Sequence, residues 1–180
     1  MYGACAGDII GSIYEGAGYK RKDFPLFGRG VTYTDDSVLT VATADALLRG
    51  GRYAELYKRY GREHSRRGYG GNFYRWLCSD RLDAYGSFGN GSAMRVSPVG
   101  CSRETEEEVL AEAKRSAEAT HDHPEGIKGA QATALAVFWA RRGKSREEIR
   151  RGIGDRFSYD MDRKIDEIRP AYHFDPTCQG

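Results

Sequence analysis

Along nearly the whole chain, apolar positions recur at a spacing of three and four rather than two, which is the signature of helices. From Met1 to Tyr14 small residues (Gly3, Ala4, Ala6, Gly7, Gly11, Ser12) are interleaved with Ile9, Ile10 and Ile13. This pattern predicts a helix whose backbone packs close to a neighbour. Glu15-Gly16-Ala17-Gly18 ends it in glycines that permit a mobile loop. The segment Tyr19 to Val31, basic and then broken by Pro25 and Gly28, reads as loop. Thr34 opens a second helix, carried by Val38, Leu39, Ala42, Ala46 and Leu47 and stopped by Gly50-Gly51. A third is expected from about Ala54 to Arg67 on Leu56, Tyr57 and Tyr60, and a short fourth from Phe73 to Cys78 with Trp76 and Leu77.

Two helix starts downstream carry their own chemistry. Thr105 with Glu108, and Ser145 with Glu148, are capping boxes, in which each side chain satisfies a backbone N–H of the other residue. The first begins a charged amphipathic helix from Glu106 to about Ala119. Pro124 suits the first helical position of the next. That helix, Glu125 to Arg142, holds Gly129, Ala130, Ala132, Ala134 and Ala136 beside Leu135, Val137 and Phe138, so it is expected to be central and tightly packed. A last pair, Arg146 to Phe157 and about Asp160 to Ile168, closes at Pro170. No convincing strand, internal repeat or dividing linker is visible, and the expectation is one all-α domain over residues 1–180.

Composition narrows the function classes only slightly. With 39% hydrophobic residues in 180, the chain can bury a sizeable core. A net charge of +2 implies neither nucleic acid nor an anionic membrane as an obligatory partner. Cys5, Cys78, Cys101 and Cys178 are too scattered to spell a zinc site or a disulfide framework, and reduced thiols are the simple reading. No signal peptide is visible, and no uncharged run approaches the about 18 residues of a membrane span. A cytoplasmic protein is expected.

The candidate chemistry centres on Thr34-Asp35-Asp36-Ser37. Adjacent carboxylates repel, so something positive should face them. One reading is the helix itself, with Thr34 as N-cap and the first-turn partial charge favouring both acids. The other is one or two hard divalent cations, Mg2+ or Mn2+, held by oxygen ligands. Asp8, inside an otherwise apolar stretch, reads as a cap or a hydrogen-bonded structural carboxylate. A second dense stretch, Ser87-Phe88-Gly89-Asn90-Gly91-Ser92-Ala93-Met94-Arg95, can turn backbone N–H groups toward an anion, with Ser92 onward able to begin a helix. An ordinary glycine turn is the plain alternative. His121 and His123 lack a third ligand at zinc-like spacing, which leaves capping or substrate contact. Arg66 to Phe73 has the look of an Arg-Gly RNA binder, but a single copy in a folded context is weak.

Taken in order, Glu15 after a Gly-Asp-containing first helix, Thr34-Asp35-Asp36-Ser37, Gly89-Asn90-Gly91-Ser92-Ala93-Met94-Arg95, and Thr120-His121 leading to Gly126 and Gly129-Ala130 resemble the ADP-ribosylglycohydrolase family, of the dinitrogenase-reductase-activating glycohydrolase type. The resemblance covers nearly all of the chain. It implies an all-helical hydrolase with two Mg2+ or Mn2+ ions in a cleft, cutting the bond between ADP-ribose and an acceptor. By motif position, Thr34, Asp35 and Asp36 would be metal ligands, with Asp35 and Asp36 catalytic through the metals. Glu15 would act on the substrate or its water. Ser87, Phe88, Gly89, Asn90, Gly91, Ser92 and His121 would bind the diphosphate and ribose. The substrate would be an ADP-ribosylated protein or a small ADP-ribosyl compound.

One departure stands against these matches. Family members run on and carry a later Gly-x-Asp-x-Asp-Thr stretch with the remaining metal ligands, which this sequence does not show; Asp160 and Asp162 lack its flanking Gly and Thr. The resemblance therefore implies a domain incomplete at its C-terminus, as a fragment, one half of a split protein with a complementary segment, or a degenerate relative. Activity is expected to need the missing ligands. A non-catalytic ADP-ribose-binding or structural role is the alternative, and another Mg-dependent hydrolase of nucleotides a third.

Overall fold

The computed structural model describes residues 1–179, and all of its regular elements are helices. They are α1 (Tyr2–Gly11), α2 (Asp35–Leu48), α3 (Tyr53–Glu63), α4 (Gly71–Cys78), α5 (Gly91–Met94), α6 (Ser97–Ser102), α7 (Glu106–Glu118), α8 (Pro124–Arg141), α9 (Arg146–Phe157) and α10 (Ile165–Ile168). No strand occurs among the described residues beyond one isolated antiparallel bridge between Gly89 and Thr177. No helix among them is long and apolar enough to cross a membrane.

Two apolar clusters form the interior. Helix α8 packs against α5, α6, α7 and α9, and its small residues let Val96, Val99, Val109, Ala113, Leu135, Phe138, Trp139 and Ile153 close around it. The second cluster joins α2, α3 and α4 through Leu39, Ala42, Ala46, Leu56, Tyr57, Phe73, Trp76 and Leu77. The expected central position of α8 is thus met. Between the clusters runs a buried polar seam. The Tyr53 hydroxyl donates to Glu112 Oε1 at 2.6 Å, and the Tyr57 hydroxyl lies 3.0 Å from Thr43 Oγ1 and 2.8 Å from Ser116 Oγ. Buried polar groups are tolerable only when paired in this way.

Both capping boxes form. Glu108 N donates to Thr105 Oγ1 at 3.2 Å, while Glu108 Oε2 accepts from Thr105 N and Glu104 N, each at 3.1 Å. Thr105→Ala removes the first of these bonds and should cost about 1 kcal/mol, read as a fall in the urea midpoint with an unchanged slope.

The third and last helices differ from the sequence expectation. Helix α3 stops at Glu63 rather than Arg67, because the chain beyond it is used elsewhere: Arg67 O accepts from Asp35 N at 2.8 Å, and His64 Nδ1 meets the Tyr33 hydroxyl at 3.3 Å. The last helix starts at Ile165 rather than Asp160. Arg150 of α9 holds the intervening segment open by donating to Met161 O at 3.0 Å and pairing with Asp162. That pairing leaves Asp162 engaged with α9. Nothing in the sequence announces helix α6, whose six residues include Pro98 and Gly100 and are too few to show a period.

Candidate active site

Asp8 builds the first part of the site. Its Oδ2 accepts from Thr34 N at 2.9 Å and Ser37 N at 3.1 Å, and its Oδ1 accepts from Thr34 Oγ1 at 2.6 Å. Thr34 Oγ1 in turn accepts from Asp36 N at 3.3 Å. The N-terminus of α2 is therefore capped from a different helix, as the structural reading of Asp8 anticipates. The caps satisfy the orphan donors of that first turn.

Capping accounts for Thr34 and Asp8 and leaves the side chains of Asp35 and Asp36 unexplained. Both line a cleft of about 490 Å³ together with Asp8, Glu15 and Thr34. Burial pushes the Asp35 carboxyl up to about 7, helped by the charges of Asp36, Glu15 and Asp8. Burial likewise pushes Asp36 up to about 6, followed by Asp8 and Glu15. Asp35 and Asp36 thus share one partly desolvated space with Asp8 and Glu15, whose charges disfavour ionisation of the pair. Glu15 sits in the turns after α1, at the exposed edge of that space. No three His, Cys, Asp or Glu side chains among the described residues converge closely enough to hold a metal ion by themselves.

A second cleft, of about 500 Å³, adjoins the first; Asp35, Gly70, Asn90, Met94 and Pro176 line both. Its wall includes Ser87, Phe88, Gly89, Asn90, Gly91 and His121, so the glycine stretch and the histidine expected to bind a ligand meet here. The turn is held by Gly89 N donating to Ser87 Oγ at 3.2 Å and by residues 176 and 178, with Asn90 N donating to Pro176 O at 2.8 Å and Cys178 N to Phe88 O at 3.1 Å. A Cβ at Gly126 would lie 2.7 Å from Ser87 O and 3.1 Å from His121 Cβ, so only glycine lets α8 begin against this wall.

Ser92 departs from its expected role. It is fully buried, does not line the cleft, and donates its hydroxyl to Gly126 O at 2.7 Å. It ties α5 to α8, because the helical turn that begins at Gly91 rotates its side chain inward. His123 is a cap, its Nδ1 accepting from Glu125 N at 3.2 Å. His121 is nearly buried and is pushed down to about 3, by burial first and by Arg95 second, so it stays neutral.

Several groups of this site carry no signal that periodicity or spacing could catch. Tyr85, Phe73, Pro176 and Thr177 line the second cleft from unrelated parts of the chain. Arg95 lies in a quoted motif, yet nothing local announces that a guanidinium there is wholly buried and stacked 4.0 Å over the Tyr57 ring.

The model of the ADP-ribosylglycohydrolase family matches residues 1–175. The chain belongs to that family. Its relatives include ADP-ribosylhydrolase ARH3 of Gallus gallus, 32% identical over 82% of this chain and 51% of the relative. ADP-ribosylhydrolase ARH3 of Homo sapiens is 30% identical, over 82% of this chain and 50% of the relative. Among solved structures, a chain of an ADP-ribosylglycohydrolase-related protein complex superposes with a TM-score of 0.65 at 22% identity, covering 93% of this chain and 62% of that one. This likeness shows the all-α ADP-ribosylglycohydrolase fold. The chain spans about half the length of the curated relatives it matches.

Proposed function

We propose that this chain forms the ADP-ribose-binding and first metal-binding part of an ADP-ribosyl hydrolase. The observation that carries this reading is the position of Asp35, which faces both the acid cluster and the cleft walled by the glycine turn and His121. A ligand lying along that wall would place a reacting sugar beside the carboxylates.

The donor set suits Mg2+ or Mn2+. It consists of oxygen atoms, carries net negative charge, and is partly desolvated without an ion-paired partner for Asp35 or Asp36 among the described residues. Thr34, Asp35 and Asp36 would hold the cations, which supply charge to orient ribose hydroxyls and to lower the pKa of a bound water. Their coordination would be completed by ligands other than these three. Glu15, at the edge of the cleft, would accept a proton from the attacking water. Departure of the acceptor passes through an oxocarbenium-like state, which the carboxylates stabilise by their charge. Neutral His121 and the polar groups of the cleft wall other than the N–H groups of Gly89 and Asn90, which Ser87 Oγ and Pro176 O already engage, are suited to diphosphate and ribose oxygens.

That no three His, Cys, Asp or Glu side chains among the described residues converge on a cation, beside a cleft lined by the glycine turn and His121, favours one second reading, a module that binds ADP-ribose without turning it over. The two are separated by calorimetry with ADP-ribose and by assaying ADP-ribosyl-arginine, ADP-ribosyl-serine and nucleotide diphosphates side by side. Binding that Mn2+ strengthens, with slow release of ADP-ribose from one of the two conjugates, is expected. Tight metal-independent binding without release supports the module, and no binding of ADP-ribose under any condition removes both.

A further inference from the structure

His121 presents one ring nitrogen to the cleft and hides the other. Ideal Cβ positions at Gly91 and Gly89 would fall 3.2 and 3.8 Å from its Nε2, so that atom faces the glycine turn. Its Nδ1 lies 2.7 Å from the hydroxyl of Thr120, which is itself completely buried. That hydroxyl has a second partner, since Arg95 Nη2 donates to it at 2.8 Å and to Ser116 O at 3.2 Å.

Proton counting leaves one arrangement that satisfies both Thr120 and His121 Nδ1, while Arg95 engages the row through Nη2 and its Nε and Nη1 have no hydrogen-bond partner among the described residues. A guanidinium has only donors and keeps its protons at any working pH. Thr120 Oγ1 therefore accepts from Arg95, and its single hydrogen must go to another acceptor. The acceptor within reach is His121 Nδ1, 2.7 Å away. Were Nδ1 protonated instead, two donors would meet at Thr120 and its own hydrogen would be stranded in the interior, an arrangement that buried polar groups avoid.

We propose that Arg95 and Thr120 are positioning residues that lock His121 as the tautomer carrying its proton on Nε2, which makes it a fixed neutral donor to a ligand oxygen at the glycine turn. His121 is then not a base for the attacking water, and the oxygen it meets is an acceptor, such as a phosphate or ribose oxygen. The Tyr57 ring under Arg95, which offers its π face to the buried charge, holds the first donor in line. The Thr120 hydroxyl is the hydrogen-bond partner of Nδ1 among the described residues. The ligand part of this assignment rests on the proposed ADP-ribose site, whereas the tautomer does not.

Two measurements test it. In the ligand-free protein, the 15N shifts of the His121 ring should show Nδ1 unprotonated and Nε2 protonated, and a protonated Nδ1 or a mixture in the wild type overturns the inference. Thr120→Val keeps the shape and removes the hydroxyl; it should release the ring to a mixture of tautomers and weaken ADP-ribose binding about tenfold, the worth of one well-placed hydrogen bond. Thr120→Ser retains the hydroxyl and should keep the wild-type tautomer and an affinity within about threefold. An unchanged tautomer and affinity in Thr120→Val also overturn it. If Thr120→Val does not fold, the wild type and Thr120→Ser decide. Failure of the wild type to bind ADP-ribose defeats the proposed function and leaves the tautomer to be judged by its 15N shifts alone.

Discussion

Asp35→Asn combined with Asp36→Asn should give a chain that, without divalent cations, unfolds at a higher temperature than the wild type at pH 8, and that gains nothing further from Mn2+. Both carboxyls are raised by burial and by their acidic neighbours, to about 7 and about 6. The folded chain therefore retains protons that the unfolded chain, titrating near 4, has already released. Linkage then makes stability fall as pH rises from about 4 to about 7, and above that range the folded state bears the full repulsion. Because neither side chain is fully buried, water screens part of this, and relief of about 1–3 kcal/mol is expected, a few degrees in melting temperature. The wild type should recover that loss when a cation neutralises the acids; a ligand at about a hundredfold its dissociation constant adds about 2.7 kcal/mol. Differential scanning calorimetry at pH 5 and pH 8, with chelator or with Mn2+, reads all four combinations. A wild type indifferent to Mn2+, or a double variant that gains as much as the wild type, would remove the cation-binding role of these acids.

Gly100→Val should be more damaging than any surface change of similar size. Gly100 lies in α6 where it crosses α8, and a Cβ there would lie 2.3 Å from Ala134 O, 2.8 Å from Val137 Cβ and 3.0 Å from Phe138 N. Two of those three atoms belong to the backbone of α8 and cannot rotate away. Helix α6 would have to lift, opening the contacts of Val96, Val99, Leu135 and Phe138. A loss of about 3 kcal/mol or more follows, since overpacking and loss of core contacts act together. Gly7→Ala is the matched control, because nothing lies within 4 Å of its Cβ position. That change should be neutral or stabilise α1 by up to about 1 kcal/mol through helix propensity. Urea unfolding of the two variants side by side distinguishes steric conflict from a general intolerance of substituted glycines.

The difference between those two glycines also marks what the sequence could and could not disclose. Helix starts were legible wherever the determinant is local: Thr105 with Glu108, Ser145 with Glu148 and Thr34 before its acids lie where their side chains reach their own backbone. The central place of α8 was legible because its run of alanines and glycines admits close neighbours. The end of α3 was not, because it depends on Asp35 N claiming the carbonyl of Arg67 from more than thirty positions away. Within the site, the order of motifs brought Asp35, Gly89 to Gly91 and His121 forward as candidates, and the structure places them around adjoining clefts. The inward turn of Ser92 and the row from Arg95 through Thr120 could not be read, since each is fixed by which face of a helix meets which neighbour.

The bonds from residues 176 and 178 to the glycine turn carry a consequence for how the pocket comes and goes. Neither apolar cluster includes that segment, which meets the body of the fold through these bonds and through Cys178 beside Gly129 of α8, so its opening is expected to be local rather than global. A molecule opened in this way would keep its circular dichroism and lose the shape of its recognition surface. Deuterium uptake at Asn90 and Cys178 should therefore outpace that of α8 and slow together when a ligand seats.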